Sequence, residues 1–147
     1  MNLAIKERLS TDRPTDPHER VFWHIDHINL LRSCRWPPEH YEREVRELSD
    51  LITELYTDWL RARGINNNLP AYLLPVLPYV SFRFFSAPAS KEVNIFAASS
   101  KQKARLIDLI VEDMKELQDT PFLRGVHRHS VTMLMSFLGS LRNRQMQ

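Results

Sequence analysis

The chain has 147 residues, of which 43% are hydrophobic and 26% charged, with a formal net charge of +2 and a single cysteine, Cys34. That size suits one domain able to bury roughly two thirds of its unfolded surface, and the lone cysteine excludes an intramolecular disulfide framework and a thiolate zinc knuckle. No run reaches the roughly 18 apolar residues that a membrane span needs, and the N-terminus MNLAIKERLSTDRPTDPHER is too charged for a signal peptide, so the expected location is cytoplasmic with no membrane partner.

Residues 1–14 lack periodicity and read as a loose N-terminal arm; residues 15–147 read as a single helical domain. A start signal follows the arm. Asp16 can cap, Pro17 suits the first helical position, and Glu19 stands three residues after Asp16 as in a capping box. The first helix should run to about residue 35, because Pro37-Pro38 cannot continue it. At 100° per residue, Val21, Phe22, Ile25 and Ile28 form one apolar arc and Trp23, Leu30, Leu31 and Cys34 another. Only a strip near Glu19 and Asp26 is left for water, which describes a central helix packed on two sides.

The second helix is expected over about residues 38–63. Tyr41, Val45, Leu48, Ile52, Leu55, Trp59 and Ala62 alternate spacings of four and three, and Glu39 with Arg43 and Glu42 with Arg46 add favourable i,i+4 pairs. Gly64 supplies a left-handed stop. The stripe fits one member of an intramolecular bundle better than a coiled-coil seam, which usually runs longer.

Residues 69–85, LPAYLLPVLPYVSFRFF, are almost wholly apolar yet carry Pro70, Pro75 and Pro78, which forbid one continuous helix. Period-two alternation over 79–85 and 92–98 suggests a short β-hairpin, with a Pro-broken connection as its competitor. Ser99 or Ser100 then caps a helix to about residue 118, with Ala104, Ile107, Val111 and Met114 on its stripe, widened by Leu106, Leu109 and Ile110. The last helix should span about residues 126–144 on Val131, Leu134, Leu138 and Leu141, flanked by Met133, Met135 and Phe137. The expected fold is therefore mainly α, a compact bundle of four to five helices with a hairpin or broken connection between the second and third long helices.

Charge is unevenly spread. Between residues 39 and 58 seven acids face only Arg43 and Arg46, whereas after Asp119 there is no acid and Arg124, Arg128, Arg142 and Arg144 stand alone. Such asymmetry can steer an acidic partner to one end, or let an acidic and a basic helix lie together.

Candidate chemistry is sparse. His24 and His27 are i,i+3 neighbours that could share a metal, with His127 as a further donor, but core histidines satisfied by tautomer choice are the commoner occurrence. The repeated Glu-x-x-His of carboxylate-bridged di-metal bundles is missing. Glu47 and Asp50, with Glu39 and Glu42 before them, have the makings of a paired-carboxylate magnesium site, although charged runs usually mark a solvated face. Cys34 and Ser130 lack the turn and the orienting acid that make a nucleophile, and three glycines leave no phosphate loop. No cofactor is expected.

These features favour a non-catalytic interaction or regulatory protein that presents an apolar surface to a protein partner or to its own copy as a homodimer. The expected contacts are Tyr72, Leu73, Leu74, Tyr79 and Phe85 in the prolyl segment, the Met-rich last helix, and Arg124 and Arg128 for acidic partners. A nucleic-acid-binding accessory protein using the basic last helix is the alternative, for which +2 is a weak charge. A His-rich metal sensor or enzyme is the third.

Overall fold

The computed structural model describes residues 12–33, 37–66, 96, 98–118 and 126–146, and within these the side chains of residues 32, 33, 38, 41, 117, 118 and 126–130 are left aside. Four helices make up the described chain: α1 (Pro17–Ser33), α2 (Pro38–Ala62), α3 (Ser100–Gln118) and α4 (Val126–Gln145). α1 packs on α2, α3 packs on α4, and α2 meets α4. No strand occurs among the described residues; the expected hairpin at 79–98 falls almost wholly outside them, as do the prolyl segment and Cys34.

The helix ends follow from local chemistry. The Asp16 carbonyl accepts the Arg20 N–H at 3.0 Å, and its carboxylate stands 3.4 Å from the His18 N–H, so Asp16 is the N-cap and Pro17 the first helical residue. At α3, Ser99 Oγ accepts the Gln102 N–H at 3.2 Å while Gln102 Oε1 accepts the Ser99 N–H at 3.1 Å, a reciprocal capping box. α2 ends in a Schellman motif: Ile65 N–H reaches the Leu60 carbonyl and Gly64 N–H the Arg61 carbonyl, both at 3.0 Å, with Gly64 at φ +78°. A Cβ at Gly64 would touch nothing within 4 Å, so strain alone sets the cost of replacing it. Gly64→Ala should therefore destabilise by about 1–2 kcal/mol, measured by urea unfolding; an unchanged midpoint would show that the left-handed turn is dispensable.

One core cluster draws on all four helices, including Phe22, Ile25 and Ile28 of α1, Leu48, Ile52, Tyr56 and Leu60 of α2, Leu106, Ile107, Ile110 and Met114 of α3, and Val131, Leu134, Phe137 and Leu138 of α4. The stripes expected on α3 and α4 are the buried ones, with Val111 and Leu109 only partly covered. On α2 the expected stripe drifts off the core. Leu48, Ile52, Tyr56 and Leu60 are fully buried, whereas Val45 and Trp59 sit at the margin and Ala62 is exposed. An α-helix turns every 3.6 residues, so a face laid out at 3.5 slips by about 20° per heptad unless the helix supercoils. Leu51 and Leu55, the latter on the expected stripe, are buried beside the four fully enclosed residues, and so broad an enclosed face marks a helix packed inside one bundle.

α1 is the most enclosed element. Every residue from Val21 to Ile28 is buried, including Asp26, which the sequence assigns to a solvent strip. Lys103 of α3 lays its ammonium 5.2 Å from the Phe22 ring centre. Burial pushes that amine below its ordinary value, against the opposing pull of Glu19.

Candidate functional site

Two places gather polar groups over apolar ones. The first is a groove of about 910 Å³ where the start of α1 meets the second halves of α2 and α4. Leu55, Asp58 and Trp59 line it from α2, and Arg63, the residue that caps its end, continues the same face. Ser136, Phe137, Gly139, Ser140, Leu141, Asn143 and Arg144 line it from α4, with Pro17 and His18 at the end. Its floor is an aromatic cluster. Tyr56 stacks on Phe137 with ring centres 5.1 Å apart, Trp59 meets Phe137 edge-on at 5.9 Å, and the Arg63 guanidinium lies 3.7 Å over the Trp59 ring. That last contact holds the cation in place at little further entropic cost.

The lining carries Arg63 and Arg144 against Asp58, with His18 beside them and the Asp16 carboxylate close to both His18 and Arg144. Trp59 Nε1 is buried with no hydrogen-bond partner among the described residues, and His18 Nδ1 stands 3.5 Å from Asp16, too far for a good bond. Burial first, then the neighbouring Arg144, lowers the His18 imidazole below its usual 6.5, while Asp16 pulls the other way. Below pH 6.5 the unfolded chain then binds more protons at this residue than the folded one, so its contribution to stability falls as the pH drops through that range.

The second place is a polar cluster between α1 and α2. His24, 3% exposed, donates from Nδ1 to Glu44 Oε2 at 2.6 Å, with Glu47 Oε2 at 4.0 Å. Arg13 reaches Glu47 at 2.8 Å and lies 5.3 Å from the Trp23 ring centre, which ties down the end of the N-terminal arm. His27 turns elsewhere: its Nδ1–H donates to the Trp23 carbonyl at 3.0 Å and its ring lies 3.9 Å from that of Trp23. The two histidines thus make separate contacts, and of the companions of His24 the sequence reads Glu47 as part of a solvated face and gives Glu44 no role. Asp50, Glu39 and Glu42 do remain exposed. Glu44 differs because it sits on the edge of α2 that α1 covers, which a single helix projection cannot reveal.

Of the other expected site residues, Tyr72, Leu73, Leu74, Tyr79, Phe85 and Arg124 lie outside the described residues. Arg128 and His127 belong to the first turn of α4, but their side chains do too. Arg142, part of the basic tail, is engaged by Asp108 at 2.8 Å, and Arg144 approaches Asp16 at 4.0 Å. Met133 and Met135 pack on the core, leaving Met146 as the exposed large hydrophobic among the described residues. No described helix is long and apolar enough to cross a membrane. The i,i+4 pair Trp59 and Arg63, and a glycine inside an amphipathic helix at 139, are the sequence signals that could have located the groove. No family model matches this chain, and no curated protein or solved structure is detectably similar to it.

Proposed function

We propose that the protein is a non-catalytic, cytoplasmic interaction module whose groove between α2, α4 and the start of α1 receives an acidic segment of a partner protein. The observation that supports this most directly is the pairing of an apolar aromatic floor with Arg63 and Arg144, of which Arg63 is held over the Trp59 ring. A side chain of Leu or Phe type would cover the exposed part of Trp59, while a neighbouring carboxylate meets Arg63 and Arg144. The lining offers no nucleophile with a base and orienting acid beside it, so binding rather than turnover is the chemistry it suits. Nucleic acid is a weaker fit, since Asp108 already engages Arg142 and phosphate-dominated binding draws on many free cations.

Gly139 gives the sharpest test. A Cβ there would meet nothing within 4 Å, so the helix backbone has room for a side chain, and Gly139→Leu should fill the groove with a residue type that favours helix. A displayed library of peptides pairing Asp or Glu with Leu, Phe or Trp should yield binders to the parent protein. Gly139→Leu should abolish that binding, and Arg63→Gln with Arg144→Gln should weaken it by about tenfold or more, most strongly at low salt. Affinity should also rise as pH falls below 6.5, because an anion beside His18 favours its protonated form. Binders indifferent to Gly139→Leu would place recognition elsewhere. Salt-sensitive retention of DNA or RNA with no peptide enrichment would favour the nucleic-acid reading, and light scattering that shows a dimer broken by Gly139→Leu would make a second copy the occupant.

A further inference from the structure

We infer that His24, Glu44 and Glu47 form a binding site for one divalent transition-metal ion of the zinc class, which clamps α1 to α2. One imidazole nitrogen and two carboxylate oxygens lie within 4.8 Å of one another. They come from two helices whose packing fixes their relative position, and Glu44 and Glu47 are i,i+3 neighbours that point to the same side of α2.

The distances suit an ion after small side-chain movements. Ligand atoms about 2.0–2.1 Å from a tetrahedral zinc stand about 3.3 Å from each other. His24 Nδ1 and Glu44 Oε2, now 2.6 Å apart, would open by about 0.7 Å, and Glu47 Oε2, now 4.0 Å from the same nitrogen, would close by about the same amount. Rotation about the carboxylate side chains covers such shifts without moving either helix. The donor set of nitrogen and oxygen with no thiolate suits zinc and its neighbours, whereas calcium and magnesium prefer oxygen alone.

A second, independent feature supplies access. A pocket of about 260 Å³ is lined by Arg13, Arg20, His24, Glu47, Leu51 and Glu54, so the cluster opens to solvent on the Glu47 side and has room for the water that completes four-coordination. Arg13 and Arg20 oppose an incoming cation by their charge, and Arg13 holds Glu47 Oε2, the oxygen nearest His24, so binding requires the carboxylate to turn and leave Arg13 on its other oxygen. In the bound state Arg13 serves as an outer partner that fixes the carboxylate's orientation. On binding, zinc takes the Nδ1 lone pair in place of the hydrogen bond to Glu44, and the neutral ring carries its proton on Nε2.

Equilibrium dialysis of the full chain against zinc chloride, followed by elemental analysis, should give one zinc per chain. Glu44→Gln and Glu47→Gln, which keep the size and a hydrogen-bonding oxygen, should each weaken binding by at least about tenfold. Glu112→Gln with Glu116→Gln, which removes two exposed acids from α3, should leave it unchanged. Zinc should also shift the His24 ring resonances of the parent protein, a readout that survives if a variant fails to fold. No retained zinc, retention unaffected by the α2 substitutions, or an unmoved His24 would each overturn the site. The groove plays no part in these measurements, so the two proposals fail separately.

Discussion

Leu48→Ala and Leu134→Ala are each expected to lower the unfolding free energy by about 2–5 kcal/mol, the usual cost of emptying a fully enclosed leucine site. Both side chains are fully buried in the cluster shared by all four helices, one on α2 and one on α4. A helix backbone closes over such a cavity only in part. A domain of this size has a total stability of roughly 5–15 kcal/mol, so either change consumes a large share of it. Urea unfolding followed by circular dichroism checks both. If Leu48→Ala unfolds at the parent's midpoint, the α2 face is not buried as described and the bundle arrangement is wrong at that helix.

The second large effect is expected at Glu44. Replacing it with Ala leaves the His24 N–H buried without its acceptor, and should cost about 1–3 kcal/mol. The Glu44 side chain is 17% exposed, so water can approach the gap, which keeps the figure below the 3–5 kcal/mol or so of a fully enclosed ion pair with one partner removed. Glu44→Gln should be milder because its amide oxygen still accepts. Urea midpoints for the two variants at pH 7 would show this order; an Ala variant as stable as the parent would mean that the contact contributes nothing to folding.

The acidic stretch of α2 shows how one helix can hold two kinds of charge. Glu39, Glu42 and Asp50 are solvated, as an isolated charged face should be. Glu44, within the same run, hydrogen-bonds a buried histidine from another helix. Helical periodicity assigns a residue to a face, but it carries no information about which of the faces a second helix will cover. Asp26 repeats the lesson on α1, where a position read as solvent-facing is enclosed.

Much of the architecture was nevertheless legible in the chain. Pro17, Pro38, Gly64 and Ser99 fixed helix ends within a residue or two, because proline stereochemistry, the left-handed glycine turn and the serine cap act over a few bonds and need no tertiary partner. The buried leucines, isoleucines and valines of α3 and α4 followed from their 3.6-residue spacing for the same local reason. Only the packed structure decided that α2 would bury Tyr56 and Leu60 rather than Ala62, that Trp59, Arg63, Phe137 and Arg144 would share one groove, and that His24 would face Glu44 and Glu47 instead of His27. Those outcomes depend on where one helix lies against another, a matter settled by the shapes of many side chains fitting at once rather than by any spacing along the sequence.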